Sequence, residues 1–441
     1  MVSRFIKGKN IKYNTLIKAT NTKLFHLKFH FPIINQFVSI LALNITNTLF
    51  QLLLIPVLIN HTVTDKLGSY FLALSFSVLA SIFVNFGTSQ TAVVEIKKAA
   101  NENEKQTILA ETLALRFLPL SLAIIISCVL PILLNNGIYY LLVLPIILAE
   151  FINPQFYLIA IYKIKKYALL NLILKASLII ILLLLKDNKN LIEITLVGTG
   201  LAMLTLNFIY LPSTFLKVNI LSQIPSIERI KELYKTHVLV VGNGLTVHLQ
   251  QSMFLFALPS FVTPIFLSAY GLIDKLISSF RMLVNAYSSS VMPQAASHHQ
   301  ISFDRWKKFK QQQNRLLFLL CFTAGIIMFI FPEQLLTILF LGKNNNQLFF
   351  SEATQLVKII SPVPLLIALN VLNVSELILE KKFLTYLGAG LFVLLISLLS
   401  IDALKLGLPA KYAGYYPIVI EGSCLLIYTL IVQKIRNEKS R

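Results

Sequence analysis

Residues 270–293 read YGLIDKLISSFRMLVNAYSSSVMP, which is long enough to cross a bilayer but contains Asp274, Lys275 and Arg281. A charged side chain at the centre of a membrane helix costs about 2.5–3.5 kcal/mol on insertion scales. The polar residues recur at helical spacing and so share one helix face; they are Asp274, Ser278, Arg281, Asn285 and Ser288. That face must contact protein or water rather than lipid. The stretch therefore predicts a helix within a bundle.

The composition extends this prediction to the whole chain. The 441 residues are 56% hydrophobic and 13% charged, with a mean hydropathy of +0.74, whereas soluble domains carry about 25% charged residues. Apolar runs such as 118–134 and 169–185 recur, each near the roughly 20 residues that a spanning helix needs. Strands of a membrane barrel would instead alternate polar and apolar residues over about 10 positions. The sequence predicts an all-α polytopic membrane protein.

Twelve apolar segments are candidate transmembrane helices. They are 33–58, 69–92, 112–134, 138–161, 167–185, 191–212, 236–258, 263–293, 315–340, 353–379, 383–401 and 413–434. We expect two six-helix lobes around a central cleft, with a cytoplasmic linker between them and a cytoplasmic tail at each end. The predicted boundaries are 1–32 for the basic tail, 33–212 and 236–434 for the lobes, 213–235 for the linker and 435–441 for the second tail.

Lysine and arginine residues predict the orientation, because cytoplasmic loops are enriched in them. They cluster in alternate loops, near residues 97–105, 163–166, 217–235, 305–315, 381–382 and 434–441. This pattern places both termini in the cytoplasm. The net charge of +20 is divided among these short clusters, which favours a role in membrane orientation over a nucleic-acid interface. The basic N-terminal residues show no cleavage site of a signal peptide.

The two halves of the chain resemble each other at a shift of about 200 residues. Tyr70 matches Tyr270, and Asn85 matches Asn285. Polar stripes match too, and they comprise Asn44, Asn47 and Gln51 in the first half and Asn243, Thr246 and Gln250 in the second. An even number of spans separates equivalent helices, so the halves are parallel repeats, as in many transporters. The stripes either line the cleft or form hydrogen bonds between helices.

Basic residues outnumber acidic residues at membrane depth, which favours an anionic ligand. Besides Lys275 and Arg281, the third and fifth spans hold Arg116 and Lys175. Arg116 is near enough to the cytoplasmic end to reach the interface as an alternative. Asp274 is either a counter-ion to one of these groups or a site for the coupling cation.

The sequence lacks three motifs that are typical of enzymes. There is no phosphate-binding loop, no HExxH zinc motif and no GxSxG nucleophile elbow. Cys128, Cys321 and Cys424 lie in apolar runs without metal-binding spacing, and we interpret them as buried thiols. We therefore expect a non-enzymatic protein that binds no metal.

Two segments carry a resemblance to a known family. Residues 65–96 (DKLGSYFLALSFSVLASIFVNFGTSQTAVVEI) and residues 267–296 (LSAYGLIDKLISSFRMLVNAYSSSVMPQAA) resemble the second and eighth helices of Wzx-type polysaccharide flippases. These proteins belong to the multidrug/oligosaccharidyl-lipid/polysaccharide (MOP) exporter superfamily. One departure is Asn85, which stands before Phe86 and Gly87 where the family often has an acidic residue. This sequence therefore has no carboxylate at that position.

The resemblance implies a function in the bacterial inner membrane. A Wzx-type flippase moves undecaprenyl-pyrophosphate-linked units of O-antigen, capsule or exopolysaccharide to the outer leaflet by alternating access. It implies no cofactor, coupling to protons or sodium ions, and a polysaccharide polymerase and a chain-length regulator as partners. In this sequence the expected substrate contacts are Arg281, Lys275, Lys175, Arg116, Asn44, Asn47, Gln51, Asn243 and Gln250, with Asp274 as coupling residue or counter-ion.

Three other functions are alternatives. A drug exporter of the same superfamily would need an acidic group in the N-terminal lobe, and residues 33–58 contain none. A lipid II flippase typically has two additional helices. A polysaccharide polymerase or ligase would carry a large periplasmic loop, whereas every predicted outer loop here is short.

Overall fold

The computed structural model describes residues 38–134, 136–214, 225–339, 347–380, 382–406 and 409–440. All regular elements within these ranges are helices. The predicted basic tail, 1–32, lies outside the described residues, as does the middle of the predicted linker, 215–224. The protein is an all-α polytopic membrane protein, as its composition predicts.

The first half of the chain forms nine helices among the described residues. They are α1 (Val38–His61), α2 (Thr64–Asn85), α3 (Thr88–Lys98), α4 (Glu102–Leu133), α5 (Ile138–Leu142), α6 (Leu144–Phe151), α7 (Gln155–Ala160), α8 (Ile164–Leu184) and α9 (Leu191–Thr214).

The second half follows the same order with fewer interruptions. Its described α-helices are α10 (Ile227–Ala257), α11 (Pro264–Ile301), α12 (Phe303–Ile330), α13 (Pro332–Leu339), α14 (Gln347–Ile360), α15 (Val363–Leu379), α16 (Phe383–Lys405) and α17 (Tyr416–Ser440). Short 3₁₀ turns, Leu258–Ser260 and Ala410–Tyr415, precede α11 and α17.

Side-chain caps explain where several long helices begin. The Asn101 side chain accepts a 2.9 Å hydrogen bond from the Glu104 amide at the start of α4. Thr263 and Ser302 cap α11 and α12 in the same way, and Pro264 follows Thr263 at the first helical position. Such caps satisfy amides that have no partner within the helix, and proline is well suited to the first turn.

In the described part of the chain, nine helices are long and apolar enough to cross a membrane, or ten if the bent pair α14–α15 is one span. The long helices α10 and α11 occupy the positions of the seventh and eighth predicted spans. Polar residues such as His248, Asp274 and Arg281 lower their hydropathy. With these two, the helices follow the order of the twelve predicted segments.

Four predicted spans are not single helices. Segment 315–340 is divided at Phe331, since α12 ends at Ile330 and α13 begins at Pro332. Segment 69–92 is broken at Phe86 and Gly87, whose φ angles are 48° and 74°. Segment 138–161 is divided into α5, α6 and α7, with Pro154 at the second division. Segment 353–379 bends by 42° where Pro362 separates α14 from α15. Proline lacks the amide proton that continues a helix, and the left-handed backbone at 86–87 ends α2.

Helices α2 and α11 cross at the boundary between the two lobes. A methyl group at Gly68 would lie 2.8 Å from Leu267 Cδ2 and 3.4 Å from Ser268 Oγ. A methyl group at Gly271 would collide with the Phe71 ring. At the shift of 200 residues, 68 is equivalent to 268 and 71 to 271. Each position thus contacts its own equivalent, which is the arrangement that a two-fold axis between parallel repeats produces.

Candidate transport site

A cavity of about 490 Å³ lies between the two lobes. Its walls come from α1, α2, α3, α6, α8 and α9 of the first half and from α10 and α11 of the second half. The polar and charged residues that line it are Asn47, Gln51, Ser77, Ser81, Asn85, Ser89, Glu150, Lys175, Thr199, His248 and Lys275. Apolar residues such as Phe50, Leu54 and Met282 complete the walls. The cavity therefore has a charged interior between the two halves of the chain.

Lys175 enters this cavity from α8. Its ammonium group donates a hydrogen bond to Asn47 Oδ1 of α1, and it lies 4.9 Å from the centre of the Phe50 ring. Asn171, one turn earlier, donates a 3.1 Å hydrogen bond to the same Asn47 oxygen. Lys175 has contacts with a neutral amide and an aromatic face, with no salt bridge among the described residues. A basic group without a carboxylate partner is suited to bind an anion.

Lys275 enters the cavity from the other lobe. Its side chain is 10% exposed, and its Nζ lies 3.5 Å from Asp274 Oδ2. This contact fits the counter-ion alternative for Asp274, while the coupling role stays a prediction. His248 of α10 lines the same cavity.

Arg281 forms an ion pair with an acidic residue of another helix. Its Nε and Nη2 donate hydrogen bonds of 2.9 and 2.7 Å to Glu421 Oε1 of α17. Both side chains are mostly buried, and Arg281 is not among the residues that line the cavity. The sequence analysis expects Arg281 to contact the substrate, and in this structure Arg281 forms an ion pair with Glu421 outside the cavity lining. Arg281 holds α11 against α17, so it positions Lys275 six residues earlier on the same helix.

Glu150 is the acidic residue that the sequence analysis did not assign to the site. It lies at the end of α6, where its Oε1 accepts a 2.5 Å hydrogen bond from Asn85. Its Oε2 accepts a 2.9 Å hydrogen bond from Asn153. The resemblance places a carboxylate at position 85, and here a carboxylate from another helix contacts that position. An acid followed by Asn153 and Pro154 at a helix break was the only signal in the sequence.

Arg116 is fully buried and binds backbone rather than the cavity. Its Nη1 donates to the carbonyl oxygens of residues 150, 151 and 153, at distances of 3.0, 3.1 and 3.2 Å. Its Nε donates to Thr88 Oγ1 at 2.9 Å, and its guanidinium lies over the Phe156 ring. Carbonyl groups at a helix end lack partners within the helix, and the Glu150 carbonyl also accepts a 3.2 Å hydrogen bond from the Asn153 amide. Arg116 thereby connects the α2–α3 break to α6, a structural role that differs from the expected substrate contact.

The two polar stripes differ in what they contact. Asn47 and Gln51 line the cavity, whereas Asn44 does not. In the second half, Gln250 is buried and its Nε2 donates a 2.8 Å hydrogen bond to the Gly390 carbonyl of α16. Asn243 is also buried, and its Oδ1 has no hydrogen-bond partner among the described residues. Asn47 and Gln51 of the first stripe thus line the cleft, and Asn47 also bonds α8. Gln250 of the second stripe joins α10 to α16 within its lobe.

Polar contacts connect the lobes at the end opposite the Gly68–Gly271 crossing. Arg229 at the start of α10 donates a 2.7 Å hydrogen bond to Glu111 of α4, which raises the pKa of Arg229 above its usual value. The Tyr234 hydroxyl donates to the Leu115 carbonyl at 2.7 Å. His237 Nε2 lies 2.8 Å from Thr91 Oγ1. Separation of the lobes at this end would break these contacts.

The part of the chain that the structure describes contains no candidate metal-binding site. No group of three or more histidine, cysteine, aspartate or glutamate side chains is placed to hold an ion there. The three cysteines are free thiols, but only Cys321 is buried as expected, whereas Cys424 is partly buried and Cys128 is exposed on the surface of the helix bundle.

Comparison with solved structures shows the fold. An inward-facing multidrug resistance MATE family transporter of the MOP superfamily aligns with a TM-score of 0.68 at 12% identity, covering 91% of this chain and 98% of the other. This chain has the MOP transporter fold. The lipid II flippase MurJ aligns with a TM-score of 0.65 at 14% identity, covering 91% and 87% of the two chains.

A third structure, a MOP superfamily transporter from Pyrococcus furiosus described by a reversed polarity of its binding pocket, gives a TM-score of 0.55 at 12% identity. The alignment covers 93% of this chain and 95% of that chain. No protein-family model and no curated protein matches the sequence. The comparisons thus establish the fold, and the substrate must be inferred from the cavity.

Proposed function

We propose that this protein is a flippase that moves undecaprenyl-pyrophosphate-linked oligosaccharide units across the bacterial inner membrane by alternating access. The observation that carries the proposal is the pair Lys175 and Lys275, which reach one cavity from opposite lobes. A pyrophosphate between them would receive charge-assisted hydrogen bonds from both sides. The one acidic residue lining the cavity in the described part of the chain, Glu150, is held by two amides.

The remaining walls suit the other parts of such a substrate. Asn47, Gln51, Ser77 and Ser81 can form hydrogen bonds with sugar hydroxyls. The polyprenyl tail would remain in lipid, since the apolar chain gains nothing from a polar cavity. Sugar and pyrophosphate would thus be bound between the lobes while the tail follows along their edge.

The contacts at the two ends of the lobes suggest how access alternates. At one end α2 packs tightly on α11 through Gly68 and Gly271. At the other end the lobes are joined by the Arg229–Glu111 ion pair and by the Tyr234 hydroxyl. Opening at one end would break the contacts there and keep those at the other end, so the two sets of contacts would be broken in turn. An anion that bridges Lys175 and Lys275 would favour the states in which the lobes are close.

A drug exporter of the same superfamily is the second candidate, and Glu150 is the observation that favours it. The first span lacks an acidic group, but Glu150 supplies one to the same cavity from α6. A cationic drug would then meet Glu150, the Lys275–Asp274 pair, and Lys175, which forms no salt bridge among the described residues. Because like charges repel in a site of low dielectric, the lysines favour an anionic substrate.

The decisive experiment compares both substrates in one preparation. The purified protein is reconstituted in proteoliposomes that contain a fluorescent undecaprenyl-pyrophosphate oligosaccharide, and translocation is measured by loss of access to an external glycosidase. Uptake of a cationic dye is measured in parallel. We expect oligosaccharide translocation that is lost in Lys175→Ala/Lys275→Ala, and no dye transport. Dye transport without oligosaccharide translocation would reject the flippase in favour of the drug exporter.

A further inference from the structure

We propose that a pocket between α12, α15 and α17, apart from the central cavity, binds one anionic phospholipid whose headgroup carries a phosphate and a hydroxyl, as in phosphatidylglycerol. The pocket has a volume of about 660 Å³. It shares no lining residue with the central cavity. The inference rests on this pocket alone and is independent of the transported substrate.

One end of the pocket is basic. Lys307, Lys310, Gln311 and Asn314 of α12 line it at intervals of three and four residues, so they share one helix face. Arg436 of α17 lines the same end. These groups lie at the start of α12 and the end of α17, the ends that the loop charges predict to be cytoplasmic. Basic pockets between membrane helices on that side are suited to anionic lipid headgroups.

A buried ion network orients this basic end. Lys310 Nζ donates to Glu376 Oε2 at 2.8 Å and to Asn373 Oδ1 at 2.7 Å. Arg436 donates to both carboxylate oxygens of Glu376, at 2.9 and 2.7 Å. With Lys307 there are three cations for one carboxylate, so the net charge of the cluster is positive. Lys310 is buried, whereas Lys307 is exposed, so an anion that enters the pocket can reach Lys307 and offset the excess positive charge.

Asn314 adds a second requirement. Its Oδ1 is buried and has no hydrogen-bond partner among the described residues. An amide oxygen only accepts hydrogen bonds, so a phosphate oxygen cannot satisfy it. A headgroup that also carries a hydroxyl would satisfy both the lysines and this amide.

The other end of the pocket is apolar. Leu366 and Leu369 of α15 and Leu425 and Leu426 of α17 line it, together with Gly422. A methyl group at Gly422 would meet no atom within 4 Å. From Gly422 to Arg436 the α17 axis rises about 21 Å at 1.5 Å per residue. The pocket therefore changes from charged to apolar along a membrane-spanning direction, which matches a phospholipid and not a free phosphate ion.

The test measures binding of phosphatidylglycerol to the full-length protein in detergent by native mass spectrometry. Lys307→Glu and Lys308→Glu make a matched pair, because Lys308 is adjacent but does not line the pocket. We expect Lys307→Glu to raise the apparent Kd at least tenfold and Lys308→Glu to change it less than twofold. Equal effects would show general attraction to the basic surface and would overturn the site.

A second pair tests the apolar end. Gly422→Leu fills the open space in the pocket, and Gly388→Leu is the control, since Gly388 of α16 also has no atom within 4 Å of an added methyl. We expect only Gly422→Leu to weaken phosphatidylglycerol binding, by fivefold or more, with no displacement by millimolar inorganic phosphate. Unchanged binding in Gly422→Leu, or displacement by inorganic phosphate, would overturn the lipid and leave only an anion site.

Discussion

Arg281 of α11 donates two hydrogen bonds to a single carboxylate oxygen of Glu421, at distances of 2.9 and 2.7 Å. The residues are 140 positions apart. Arg281, which the sequence suggests as a substrate contact, thus connects two helices. Its Nη1 is buried without a hydrogen-bond partner among the described residues. The pair is thus mostly desolvated, and removal of either member alone leaves an uncompensated charge.

The first prediction concerns this pair. Arg281→Met or Glu421→Met alone should lower the free energy of unfolding by about 3–5 kcal/mol, because the remaining charge stays buried. The double variant should regain normal membrane abundance and at least half of the transport. Abundance by immunoblot and translocation in proteoliposomes are the measurements. A well-folded double variant without transport would return Arg281 to the substrate site.

The second prediction concerns the cavity lysines. Lys175→Met and Lys275→Met should each reduce translocation about 10- to 100-fold, since a charge-assisted hydrogen bond contributes about 1.5–3 kcal/mol. Lys175→Arg should retain part of the activity because the charge persists. Lys189→Met serves as the control, being exposed and outside the cavity. If Lys175→Met and Lys189→Met transport equally well, the lysine does not bind the substrate.

The third prediction tests Glu150 as the coupling carboxylate of the first lobe. Glu150→Gln keeps an acceptor for Asn85 but removes the negative charge, so the protein should fold and lose its response to an imposed cation gradient. Asn85→Asp combined with Glu150→Gln returns a carboxylate to the same contact and should restore part of that response. The comparison uses translocation rates with and without proton and sodium gradients. An unchanged gradient response in Glu150→Gln would exclude this residue from coupling.

The fourth prediction concerns Arg116. Arg116→Met leaves three carbonyl oxygens at the end of α6 and the Thr88 hydroxyl without their donor. We expect a loss of about 3 kcal/mol in stability, or more, and low membrane abundance. Arg116→Lys should recover only part of it, because an ammonium group lacks the planar arrangement of donors. Thermal unfolding in detergent measures both, and a normal melting temperature for Arg116→Met would contradict the structural role.

The fifth prediction concerns sidedness. In a variant without Cys128, Cys321 and Cys424, a cysteine at Asn136 should react with an impermeant thiol reagent in intact spheroplasts. A cysteine at Gln312 should react only after lysis. Both positions are exposed, so access to the reagent depends on the side of the membrane alone. External labelling of Gln312→Cys would reverse the predicted topology.

The sequence predicted the order of the helices because apolar run length is a local property. It also predicted that the charged face of α11 contacts protein or water rather than lipid, since the spacing of Asp274 and Arg281 places them on one helix face. It did not predict which groups meet. Glu150 reaches Asn85 across 65 residues, and Gln250 turns towards α16, because these outcomes depend on how helices pack. The breaks at Phe86 and Pro154 divided spans that hydropathy alone treats as continuous.

The crossing of α2 and α11 has a consequence for how the two halves diverged. A residue on a two-fold axis faces its own copy, so two phenylalanines at position 71 and its equivalent would compete for the same volume. Here Phe71 fills the space that Gly271 leaves open. A pair of identical six-helix chains could not encode that complementarity, because one codon would specify both partners. Fusion into one polypeptide frees the two positions to differ, and the close fit at the axis is available only to the fused chain.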